Sequence, residues 1–128
     1  VRRRALEVLD FVGLAHVRNE LAGNLSGGQK KLLELGRTMM TDARVVLLDE
    51  IAAGVNRTLL GDLIGNIERM NREFGYTFLV IEHDMDMIAR LCDPVIVLAQ
   101  GSVMVEGSIE EIQNNPEVIE AYFGAGAA

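Results

Sequence analysis

Val45-Val46-Leu47-Leu48 is a short apolar run that ends in an acidic pair, Asp49-Glu50. Four successive apolar residues bounded by charged ones are too short for a helix of ordinary length, and they suit a strand buried on both faces. Downstream, Leu60, Leu63, Ile64, Ile67 and Phe74 recur at helical spacing from Arg57 to Phe74, where Gly75 supplies a stop. Thr77 to Ile81 predicts the next buried strand, Met85 to Leu91 a short helix before Pro94, and Val95 to Ala99 a third strand. Gln100-Gly101 turns that strand into Ser102 to Val105. Alternation of this kind implies a layered α/β core.

The pattern continues in both directions. Upstream, Ser26 stands before Leu32, Leu33, Leu35, Met39 and Met40 as an N-cap, and Arg2 to Phe11 has the spacing of a short amphipathic helix ending near Gly13. Ser108 and Glu111 match a capping box opening a final helical segment, which Asn114, Asn115 and Pro116 interrupt before Glu117 to Phe123. Gly124 to Ala128 is expected to fray. Neither an internal repeat nor a long linker appears.

Composition narrows the function classes. A chain of 128 residues with 49% apolar residues can bury one modest core. Its net charge of -7 disfavours a broad surface for nucleic acid or acidic lipid, and the cluster Arg2-Arg3-Arg4 reads as a solvated helix face. No apolar run approaches the roughly 20 residues that cross a bilayer. Cys92 is the single cysteine, so no intrachain disulfide can form, and a small buried thiol is expected there. The arginines lead into mixed residues without the continuous apolar region of a secretory signal. Val1 in place of an initiator methionine, followed directly by a helical pattern, suggests a truncated or processed chain.

Three segments carry candidate chemistry. In Leu25-Ser26-Gly27-Gly28-Gln29, two glycines at a helix start let backbone N–H groups approach an anion, and Ser26 adds a hydroxyl; Ser-Gly-Gly alone fits an ordinary capped helix as well. Asp49 and Glu50 end a strand where α/β sheets bind ligands, so one carboxylate can hold Mg²⁺ and the other can orient or deprotonate a water in phosphoryl transfer. An acidic pair there also serves as a solvated loop entry. In Ile81-Glu82-His83-Asp84, an imidazole after a buried strand can donate to a γ-phosphate, although a lone histidine is commonly structural. His16 has no such context.

Taken in order, these segments resemble the signature, Walker B and switch histidine of ATP-binding cassette ATPases, with Ile51 to Asn56 in the place of the D-loop. The resemblance implies the C-terminal part of a P-loop NTPase domain: an α/β fold of mainly parallel core strands with flanking helices, a C-terminal hairpin and helices. Within residues 1–128 it divides into a signature-bearing helical part (1–43), a Walker B, D-loop and histidine core (44–107) and a helical tail (108–128). It implies that Glu50 is the catalytic carboxylate, His83 the switch histidine and Asp49 the Mg²⁺-linked residue, directly or through water. Ser26, Gly27, Gly28 and Gln29 would face ATP held by a partner subunit. Two residues depart from the pattern: Ile51 stands where proline is usual, which questions the rigidity of the turn after Glu50, and Asn56 where aspartate is common. A P-loop needs Gly-x-x-x-x-Gly-Lys, yet the only lysines, Lys30 and Lys31, do not follow a glycine. The adenine-stacking aromatic and glutamine loop of the family have no counterpart either.

Further segments indicate a branch. Ala52 to Asn56, Ile81 to Met85, Gly107 to Ile112 and above all Asn115 to Gly124 look like the branched-chain amino acid importer ATPases; lipopolysaccharide export ATPases have a similar tail. The implied protein is an ATPase at the cytoplasmic face of the cell membrane that uses ATP and Mg²⁺. Its implied partners are a second, identical or different ATPase subunit, transmembrane permease subunits and, indirectly, a solute-binding protein, with no nucleic acid. Without a P-loop, these residues alone are expected to be inactive. Alternative readings are another cassette ATPase or a non-hydrolytic module that docks on a complete one.

Overall fold

The computed structural model describes residues 1–41, 43–122 and 124. They form two compact units, Val1–His83 and Asp84–Ala128.

In the first unit, α1 (Arg2–Phe11) and α2 (Gly27–Met39) meet where Gly36 lets the helices approach: a Cβ at Gly36 would lie 3.1 Å from Val8 Cγ1. Arg4 Nη2 also donates to the Met39 carbonyl at 2.8 Å, satisfying an otherwise orphaned carbonyl at the end of α2. Between the helices the chain makes two short 3₁₀ turns, Ala15–Val17 and Ala22–Asn24. Strand β1 (Val45–Asp49) leads through a turn to α3 (Arg57–Phe74). Asn56 Oδ1 caps α3 by accepting from Leu59 N at 3.0 Å, and Gly75 ends it in the left-handed region at φ 72°. Of the predicted face of α3, Leu63, Ile64 and Ile67 are buried, Leu60 is half-buried and Phe74 is exposed, while Met70, which the spacing did not single out, is buried with them.

β2 (Thr77–Ile81) pairs with β1 in parallel, Val45 opposite Thr77 through Asp49 opposite Ile81. The expectation that these strands are buried on both faces fails. Val46 and Leu48 are buried, but Val45, Leu47, Leu79 and Ile81 are each more than half exposed on the opposite face. Leu35 of α2 and Leu63 of α3 line a cavity beside Val46 and Leu48, whereas no described element of this unit covers the other face. Continuous apolar runs are characteristic of parallel strands with two covered faces, and here one cover is lacking.

The second unit contains α4 (Met85–Leu91), the antiparallel pair β3 (Val95–Ala99) and β4 (Ser102–Gly107), α5 (Ile109–Gln113) and α6 (Pro116–Tyr122). Gln100 and Gly101 both have positive φ, 50° and 78°, the turn geometry that matches strand twist in a two-residue hairpin. Val95, Val97, Ile112 and Val118 form the core, with Ile88, Cys92 and Met104 against it. The predicted interruption is a new cap: Asn115 Oδ1 accepts from Glu117 N and Val118 N, and Pro116 occupies the first helical position. Tyr122 Oη donates to the Leu98 carbonyl at 2.9 Å. Phe123 and the segment 125–128 lie outside the described residues.

Candidate functional site

The parallel register brings the ends of β1 and β2 side by side. Glu50 N donates to the Ile81 carbonyl at 2.8 Å, one step past the strand, and Glu50 adopts φ 47°. A left-handed non-glycine residue costs roughly 1–2 kcal/mol, so the chain turns sharply here against local preference. His83, two residues beyond β2, then lies with its Nδ1 3.8 Å from Glu50 Oε1. Both side chains are largely exposed, 75% for His83 and 58% for Glu50. At that distance and exposure the pair contributes little to stability; it leaves both groups open to a ligand at the sheet edge.

A residue that sequence reasoning passed over fixes the adjoining turn. Glu82 Oε1 accepts from Ala52 N at 2.8 Å. The Glu50 and Ala52 carbonyls accept from Ala53 N and Val55 N, and Gly54 supplies φ 72°. The rigidity that proline would have given at Ile51 is thus replaced by a carboxylate reaching over from the end of β2. Glu82 stood within the histidine segment, but only the imidazole there suggested chemistry.

Asp49 is exposed and lines the cavity beside Val46 and Leu48, about 220 Å³, with Lys31, Glu34 and Thr38. Among the described residues no group of three His, Cys, Asp or Glu side chains could enclose a metal ion. Asp49 and Glu50 do present hard carboxylate oxygens at one strand end, suited to Mg²⁺ provided its other ligands are water and phosphate oxygens.

At the start of α2, Ser26 Oγ accepts from Gln29 N at 3.2 Å while Gln29 Oε1 accepts from Ser26 N at 2.9 Å, a complete capping box. The two glycines differ. Gly27 is exposed with open space at its Cβ position; Gly28 is buried, and a Cβ there would run into the Leu59 side chain of α3. Gly28 therefore packs directly against Leu59, which would have to shift to admit a side chain, whereas Gly27 leaves the backbone open. Among the described residues, no hydrogen bond or ion pair links Ser26, Gly27, Gly28 or Gln29 to Asp49, Glu50 or His83. The structure joins Glu50 and His83 and keeps the signature segment separate. Cys92, expected to be buried, is half-buried, and burial raises its thiol pKa.

Residues 1–53 match the family described as ABC transporter, and residues 102–128 the one described as branched-chain amino acid ATP-binding cassette transporter. Together these stretches take in more than half of the chain. The chain belongs to the ATP-binding cassette family. The first stretch contains Ser26 to Gln29 and Asp49-Glu50, while His83 lies between the two. The chain is 43% identical over 122 residues to the probable branched-chain amino acid transport ATP-binding protein LivG of Archaeoglobus fulgidus, covering 95% of this chain and 47% of that one. It is 41% identical over 116 residues to the high-affinity branched-chain amino acid transport ATP-binding protein BraF of Pseudomonas aeruginosa, covering 91% and 46%. A crystal structure of the ADP conformation of an ATP-binding cassette of an ABC transporter superposes with a TM-score of 0.85 at 36% identity, over 95% of this chain and 49% of that one. The chain thus spans about half the length of these cassette relatives, and its α/β fold is that of a cassette ATPase.

Proposed function

We propose that this chain supplies the signature and hydrolytic residues of a cassette ATPase that powers branched-chain amino acid uptake at the cytoplasmic face of a membrane. The observation carrying the reading is the approach of His83 Nδ1 to Glu50 Oε1 at 3.8 Å, at the ends of adjacent parallel strands. The transport names of the LivG and BraF relatives favour this branch over lipopolysaccharide export.

In this reading Glu50 orients the attacking water and accepts its proton. His83 donates a hydrogen bond to the γ-phosphate, and Asp49 holds Mg²⁺ directly or through water. Bound Mg²⁺ neutralises phosphate charge. Gly27 N–H and Ser26 Oγ–H face ATP on a second ATPase subunit, which leaves the capping box intact because the serine hydroxyl can donate while its oxygen accepts. Permease subunits, with a solute-binding protein acting through them, complete the assembly. A phosphate-binding loop must come from residues outside these 128.

Glu50→Gln in a complete cassette carrying this sequence tests the assignment. ATP should remain bound while steady-state hydrolysis falls by about 10²-fold or more; unchanged turnover would remove Glu50 from its role. The 128-residue chain alone should show negligible hydrolysis.

A further inference from the structure

A second groove lies away from the strand ends. It has a cavity volume of about 550 Å³, within the range of small-molecule sites, and opens between the end of α1, α2 and α3. Asp49, Glu50 and His83 do not line it. Asp62, Gly65, Asn66 and Arg69 share one face of α3 at i, i+3, i+4 and i+7 spacing, and all line the groove.

Asn66 is the unusual member. It is 8% exposed, the one buried polar residue among those described, yet its carboxamide has no hydrogen-bond partner among them. Among the described residues no side-chain nitrogen or oxygen is both fully enclosed and unpaired, so the Asn66 amide reaches open space through the groove that it lines. Such a group is satisfied by whatever occupies that space. Asp62, one turn earlier and exposed, also lacks a hydrogen-bond or ion-pair partner among the described residues. Gly61 and Gly65 flank them, and a Cβ at either would meet nothing within 4 Å. Two glycines inside a helix work against its formation, and no packing among the described residues demands them.

We infer that this groove binds an organic cation of the guanidinium or alkylammonium class. Its charged head hydrogen-bonds the Asp62 carboxylate and the Asn66 carboxamide oxygen. Its alkyl part lies over Gly61 and Gly65 against the apolar side chains of Leu32 and Leu59, which also line the groove. Arg69 does not compete for the acid. Its guanidinium stacks over the Phe11 ring at 4.2 Å and its Nε lies 3.5 Å from Glu73 Oε1. His16, on the α1 side, is the remaining titratable side chain of the lining.

Amide NMR spectra of the 128-residue chain, titrated with n-butylguanidinium and separately with n-pentanol, test the site. The cation should give saturable shifts of the Gly61 and Gly65 amides and of the Asn66 side-chain NH₂, with pentanol weaker by roughly tenfold or more. Asp62→Asn should weaken binding of the cation by a similar factor. Gly65→Leu, whose Cβ meets nothing within 4 Å and whose side chain projects into the groove, should abolish it while the melting temperature is kept. An alanine-based helical peptide with one arginine separates the two sources of such a cation: tighter binding than n-butylguanidinium assigns the site to a partner polypeptide, equal or weaker binding to a free small molecule. Absence of saturable shifts, equal shifts from pentanol, or cation binding that survives both substitutions would overturn the proposal.

Discussion

The Glu82 carboxylate accepts a hydrogen bond from the Ala52 backbone N–H at 2.8 Å, tying the residue after β2 to the turn after β1. That bond holds the two strand ends in the register that sets His83 beside Glu50. A charge-assisted bond to a partly buried carboxylate is worth about 1.5–3 kcal/mol. Glu82→Ala should destabilise the first unit by about that amount and raise hydrogen exchange at Ala52 and Ala53. Glu82→Gln keeps an acceptor and should recover most of the loss. Equal exchange in all three proteins would show that the bond does not fix the turn.

Gly27 and Gly28 should separate by function. Gly28→Ala places a methyl against Leu59, and small-to-large changes in packed sites cost about 1–3 kcal/mol. Gly27→Ala meets no atom, so chemical denaturation should detect a change of no more than about 1 kcal/mol. If Gly27 N–H faces nucleotide, Gly27→Ala in a complete cassette should still lower ATP turnover several-fold. A stable Gly27→Ala cassette with full turnover would mean that the segment is only a helix cap.

Val45, Leu47, Leu79 and Ile81 form a contiguous apolar face on the β1–β2 pair, each more than half exposed. Exposed apolar sheet faces and free strand edges promote association. The 128-residue chain should self-associate in sedimentation velocity at micromolar concentration. Leu47→Lys with Leu79→Lys should shift it toward monomer with little change in melting temperature, since neither side chain is buried. A monomeric parent chain would show that this face does not drive association.

Most elements were legible because their signals are local. Ser26 and Ser108 each sit three residues before a side chain that completes a capping box, and Gly75 stops α3 in the left-handed conformation that favours glycine over other residues. What sequence did not reveal depends on contacts between distant segments. The exposed face of β1 follows from which elements lie beside it, a property absent from the apolar run itself. Glu82 meets Ala52, and Gly28 meets Leu59, across 30 or more residues. The unpartnered Asn66 is invisible in a pattern that reads as an ordinary helix interior. Of the candidate site, the Glu50 and His83 pairing could be expected from two strand ends in one sheet, whereas the separate roles of Gly27 and Gly28 could not.

Ser108 N donates to Glu111 Oε2 at 2.7 Å, and Glu111 N donates back to Ser108 Oγ at 3.3 Å. The backbone bond from Ser108 favours the charged carboxylate and, with the bond involving the Ser108 side chain, holds Glu111 below the usual glutamate range. A pKa lowered by folding means that the unfolded chain binds the proton more readily. The stabilisation is therefore complete above the usual glutamate range and is lost as pH falls through the lowered folded value. Hydrogen exchange at Ile112, whose amide donates to the Ser108 carbonyl, should accelerate over that acidic interval beyond the intrinsic pH trend. Glu111→Gln keeps an acceptor without a proton to gain, so its exchange should follow the intrinsic trend alone; the same acid-dependent acceleration in both proteins would place the titrating group elsewhere.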